Sequence, residues 1–272
     1  MTIGLERLEL IRARWRRVRE SLQLIDPLSD TFATGGLARH APEVNVRFLL
    51  LPADPGADVM EFDEEFWAWW MQDRLNPFEG ASPTLWGRDG MPAATAAVRY
   101  DRSDDRWNWD SYLALLRCGG LEFGLGRLGS AVWQRHEQEP STRVFFLTTI
   151  VGRIWVALSL FAEAVTQYEI RGPWELALAL RESQLSILAN VAAGWAEPED
   201  VFPGETIRRC PDPGLLIVRE VFAWPGPEAL QALAFSFGAN VEDAFGFRER
   251  RFLARIGPGA GQLDVSRYRS GR

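Results

Sequence analysis

Apolar positions along the chain recur with two different periods. Near the start, Leu8, Ile11, Trp15, Val18 and Leu22 stand three and four residues apart, which predicts an amphipathic helix over about Leu5 to Leu22. A second helical spacing, Phe62, Phe66, Trp69 and Trp70, lies in EEFWAWWMQD behind a set of acids, the order expected beside the positive end of a helix dipole; Trp67 is then the residue expected to point outward. After NPFEGASP the pattern shortens. Thr95 to Tyr100 reads as a strand, and Trp107, Trp109, Ser111, Leu113 and Leu115 share one side of an alternating run. Cys118, Gly119 and Gly120 can turn that run into Leu121 to Leu125, which makes a hairpin. A long apolar helix is predicted from about Arg143 to Glu169, stopped by Gly172 and Pro173. Trp174 to Arg181 alternates as a strand, and Gln184 to Val191 is expected to pair back on it. PDPG at 211–214 turns into a strand over Leu215 to Phe222, and Pro225 to Glu228 open a last helix with the stripe Leu230, Leu233, Phe237, Val241, Phe245 and Phe252.

Strand groups separated by single long helices predict an α+β fold: a mainly antiparallel sheet with two long helices on one face. A smaller helical or mixed region is expected over residues 1–92, the α+β core domain over 93–255, and a flexible tail rich in glycine and arginine over 256–272. The 47% hydrophobic content of 272 residues suffices for one large core. Val144 to Ala162 is apolar enough to raise the question of a membrane span, but Arg153 at its midpoint would cost about 2.5 to 3.5 kcal/mol there, so a buried core helix is expected.

Composition narrows the chemistry. All thirty basic residues are arginine, so Schiff-base chemistry and a phosphate-loop lysine are excluded, and no G-x-S-x-G sequence occurs. An arginine-rich, lysine-free composition suggests a GC-rich bacterial source. The N-terminus lacks the basic-then-apolar pattern of a signal peptide, and two cysteines, Cys118 and Cys210, cannot make a disulfide framework; a cytoplasmic location is expected. The net charge of -7 argues against general coating of nucleic acid.

Several residue sets are candidates for function. Arg12, Arg14, Arg16, Arg17 and Arg19 crowd the first helix without an intervening acid and offer a local contact to nucleic acid or an acidic partner, though a surface helix docked by its apolar stripe and solvated elsewhere is the preferred explanation. Trp67, Trp69 and Trp70 are either a partner-binding patch or internal packing, the latter favoured. Asp101, Asp104 and Asp105 invite a metal-dependent hydrolase or nuclease reading, but the spacing of a calcium loop is absent, and a solvated loop explains them better. His40 and His136 stand alone. Gly124, Gly126 and Gly129 spell G-x-G-x-x-G, but the polar stretch QRHEQEPST replaces the helix that a dinucleotide site requires, so no cofactor is expected.

Arg153 is the least ordinary residue: on an apolar helix it requires buried acceptors, with Glu122, Glu175 or Glu182 as the expected partner. A structural ion pair is the plainer explanation. The functional one places Arg153 at the floor of a cleft between helix and sheet, with Trp155, Trp174 and Glu175 beside it.

WDSYLALLRCGGLEFG (109–124), IVGRIWVAL (150–158) and GPWELALALRESQLSILANVAAGWAEP (172–198) resemble the C-terminal region of bacterial proteins that carry an AlbA-like, Schlafen-type putative DNA-binding domain. The resemblance spans about residues 95–253 and rests on sheet and helix patterns, not on catalytic motifs. Residues 1–92 show no AlbA-like domain, so the nucleic-acid binding attributed to that domain does not carry over. What the resemblance implies is a companion sensing or interaction module beside a separate effector. The sequence therefore points to a non-catalytic module binding a protein partner or a small ligand.

Overall fold

In the computed structural model the described residues are 44–52, 58–72, 89–92, 96–102, 109–133, 141–189 and 208–247. The alternating runs become strands β1 (Val46–Pro52), β2 (Asp89–Pro92), β3 (Ala96–Arg102), β4 (Trp109–Leu116), β5 (Leu121–Leu125), β6 (Ser130–Trp133), β7 (Thr142–Phe146), β8 (Trp174–Arg181), β9 (Ile187–Ala189) and β10 (Gly214–Val221). Helices are α1 (Glu64–Trp70), α2 (Leu147–Gln167) and α3 (Pro227–Ala244). The fold is α+β. One seven-stranded antiparallel sheet runs β10-β8-β1-β5-β4-β3-β2, and a three-stranded sheet runs β6-β7-β9.

β1 is a central strand, joined to β5 on one side and to β8 on the other. Its sequence VRFLLLP does not alternate because all seven residues are buried, and a strand covered on both faces reads as a continuous apolar run. Val46, Phe48 and Leu50 belong to the main hydrophobic cluster, while Leu49 and Leu51 belong to a second cluster on the other face. The boundary expected at residue 92/93 therefore falls within a single sheet, between the directly paired β2 and β3.

The main cluster joins inward residues of β1, β4, β5 and β8 to Ile150, Ile154, Ala157 and Phe161 of α2, Phe237 and Val241 of α3, and Phe66 and Trp70 of α1. α1 starts where Asp63 caps it, its carboxylate accepting from the Phe66 backbone N–H at 2.8 Å. The β4–β5 hairpin forms as expected, closed by Gly119 at a φ of 76°, where a side chain would be strained. α3 begins at Pro227, directly after Gly226.

Two expectations need correction. The long helix starts at Leu147, not near Arg143, because the aromatic and β-branched TRVFF is strand β7: Val144 and Phe146 pack on Ile187 and Ala189, while Phe145 turns into the main core. The segment after β8 does not pair back on it. Both edges of β8 are already taken by β1 and β10, so the chain turns through Glu182 and Leu185 at positive φ, and β9 pairs in parallel with β7.

α2 is long and apolar enough to cross a membrane by length and composition, yet 72% of its most apolar window is buried against the rest of the protein. It serves as the core helix that the position of Arg153 suggested.

Candidate functional site

Thr149 and Arg153 lie one turn apart on α2, on the same face, and both are buried. The Asp101 carboxyl on β3 feels the charge of the Arg153 guanidinium. Asp101 also accepts a hydrogen bond of 2.7 Å from the Ser111 hydroxyl on β4, its direct cross-strand neighbour. A register irregularity between Asp101 and Arg102 interrupts the β3–β4 ladder here, the kind of bulge that re-aims side chains. Burial pushes the Asp101 carboxyl above its ordinary value of 3.8, while Ser111, Arg153 and Arg99 pull it down and Asp110 adds to the rise.

Arg99, one inward position along β3, donates to the backbone carbonyls of Trp70 at 2.9 Å and Gln72 at 2.8 Å. Those carbonyls end α1, so a cation sits where the helix dipole is negative and fastens α1 to β3. Residues from α1, α2, β3 and β4 thus converge on one polar spot in an otherwise apolar layer.

The partners expected for Arg153 lie elsewhere. Glu122 faces the other side of the sheet, where it accepts from the Tyr112 hydroxyl and feels Arg47. Glu182 is paired with Arg143. Glu175 shares the Ala177 face of β8, opposite the face of Trp174. Trp174 packs edge-on to Trp224 at 5.4 Å, which in turn meets Phe161. Trp155 is half-buried on α2. The cleft of Arg153, Trp155, Trp174 and Glu175 is therefore not formed as a unit: alternation along β8 separates Trp174 from Glu175.

The tryptophans of α1 turn inward. Trp70 is fully buried, Trp69 donates its indole N–H to Glu163 of α2 at 2.8 Å, and Trp67 meets the edge of Phe66 and is half-buried. Ala68 is the exposed residue of that turn, so Trp67 does not point outward as expected. Asp104, Asp105 and Arg12, Arg14, Arg16, Arg17 and Arg19 lie outside the described residues, as do both histidines. Among the described residues no group of three His, Cys, Asp or Glu side chains is placed to hold a metal ion. Asp101 already feels the positive charges of Arg153 and Arg99, which disfavours a further cation at the same carboxylate. Burial pushes the Cys118 thiol up to about 11, so it is not a thiolate nucleophile at neutral pH.

Sequence reasoning missed Arg99, Arg47 and the Tyr112–Glu122 pair. Their signal was a charged residue inside an apolar strand run, VRFLL for Arg47 and LEFGL for Glu122. The glycines also find their explanation here. A methyl group on Gly124 would stand 2.4 Å from Tyr112 Cε1, and one on Gly129 would stand 2.8 Å from Leu125 Cβ. These glycines make room for side chains, and Gly124 lets the Tyr112 ring cross β5 beside Glu122. Gly124→Ala is expected to destabilise the protein by about 1 to 3 kcal/mol, the usual cost of overpacking, as measured by urea denaturation. An unchanged midpoint would show that the Tyr112 ring does not lie on Gly124.

No family model, curated protein or solved structure matches the chain.

Proposed function

We propose that this chain is a non-catalytic module of the bacterial cytoplasm that binds a small polar ligand between α2 and strands β3 and β4 of the sheet. In this reading both long helices lie on one face of the seven-stranded sheet, and the ligand is held under α2. The resemblance over residues 95–253 fits such a module acting as companion to a nucleic-acid-related effector. The observation that carries the reading is the Asp101 carboxyl, hydrogen-bonded to Ser111 of the neighbouring strand and within the electrostatic reach of the buried Arg153 of α2, so that three separate elements contribute polar groups to one side of the sheet. A buried ion pair is seldom more stabilising than apolar residues of the same volume, so stability alone is a poor reason to place one there. A guanidinium, a carboxyl and a hydroxyl held by rigid elements offer donors and acceptors in fixed positions, the equipment of recognition.

A thermal-shift screen with amino acids, dicarboxylates, phosphates and nucleosides tests this. A ligand present at one hundred times its Kd stabilises by about 2.7 kcal/mol, a shift of several degrees. The shift is expected in the wild type and lost in Arg153→Met. A shift that survives both Arg153→Met and Asp101→Asn would place binding elsewhere and overturn the assignment.

A further inference from the structure

We propose that β10 is the twofold interface at which two copies of this chain join their sheets edge to edge. β10 is the terminal strand of the seven-stranded sheet and, among the described residues, pairs on one side only, with β8. All eight of its residues follow β8 in unbroken register. The opposite edge strand, β2, is guarded in the usual ways, being four residues long and ending in Pro92. β10 carries no proline and no bulge. Apart from Arg219 and Glu220 its side chains are apolar, with Leu215, Leu216, Val218 and Val221 partly exposed and Phe222 just beyond it 74% exposed. A long, regular, largely apolar edge is a template for another strand.

The residues of β10 select a second copy and its register. Directly opposed residues of an antiparallel pair share a face, so a twofold axis normal to the sheet must pass through a residue and not between two. An axis at Arg219 or at Glu220 would set like charges against each other. An axis at Val218 instead opposes Ile217 to Arg219, Leu216 to Glu220, Leu215 to Val221 and Gly214 to Phe222. The last pair covers the most exposed aromatic: a methyl group on Gly214 would meet only the Leu180 carbonyl oxygen, at 3.7 Å, so a ring from the other copy has room to lie there. An aromatic side chain across from a strand glycine is a known way to shield it. The Arg219 guanidinium lies over the Phe237 ring and on the Val218 carbonyl, which points to the open edge, so pairing at this axis exchanges that bond for one from the Val218 N–H of the other copy.

Light scattering after size-exclusion chromatography of the full chain is expected to give twice the 30.7 kDa chain mass. Val218→Lys, which sets two charges against each other on the axis, is expected to give the chain mass with an unchanged circular dichroism spectrum. Val218→Cys is expected to form an intermolecular disulfide under mild oxidation, because directly opposed Cα atoms stand about 4.5 to 5.5 Å apart. Glu220→Cys is not, since in this register its two copies lie about 13 Å apart along the strands. A monomeric wild type would overturn the proposal. So would a dimer that persists in Val218→Lys, or one that cross-links through position 220 and not 218.

Discussion

Phe48→Ala is expected to cost about 4 to 5 kcal/mol, enough to leave a domain of ordinary stability largely unfolded at 25 °C. Phe48 sits on the central strand β1 and is completely buried. Its ring stacks on Phe123 of β5 at 5.3 Å and meets the edge of Phe237 of α3 at 5.5 Å. Truncation therefore removes one large apolar side chain and both of its ring pairs, and it opens a cavity between sheet and helix that rigid neighbours on three elements cannot refill. Urea denaturation followed by tryptophan fluorescence measures the loss. A cost below about 1 kcal/mol would show that residues 46–52 are not part of the sheet core.

Arg153→Met is expected to cost about 2 to 3 kcal/mol near neutral pH, because it leaves the Asp101 carboxylate with only Ser111 and Arg99 to offset its burial. The pH dependence has a definite sign. Burial holds the folded-state pKa of Asp101 above the unfolded value of 3.8, and loss of Arg153 raises it further. Below the unfolded value Asp101 is protonated in both states, so this part of the deficit is absent. It grows as pH rises through the folded-state pKa, where the folded variant must either bury a less compensated carboxylate or keep a proton that the unfolded chain releases. Adding Asp101→Asn is expected to recover most of the loss and to remove the pH dependence. A deficit that is the same at about pH 4 and at about pH 7 would mean that Arg153 acts through packing alone.

The parts of the fold that were legible in the sequence carry local punctuation. Gly119 and Gly120 mark the β4–β5 turn, the alternation of Trp174 to Arg181 marks β8, and Gly226 with Pro227 marks the start of α3. The parts that were not legible lack it. β1 does not alternate because tertiary burial covers both its faces, and β7 merges with α2 because Phe146 takes the cap position without a side-chain hydrogen bond to announce the change. At the site, Arg153 stood out as a charge within an apolar helix. Its partner did not, since the choice between Asp101 and Glu122 depends on which face of the sheet each residue occupies. A shift of one residue in strand register exchanges those faces, and nothing local in the sequence fixes that register. The aspartate singled out for a metal and the arginine singled out for a cleft thus belong to the same site.

The most direct test is a double-mutant cycle between Arg153→Met and Asp101→Asn, with the stability of all four proteins measured by urea denaturation near neutral pH. A coupling energy of about 1.5 kcal/mol or more is expected for two opposite charges that act on each other at a largely buried site. Additive effects, with coupling within about 0.5 kcal/mol of zero, would contradict the placement of Arg153 on Asp101 and with it the proposed binding site.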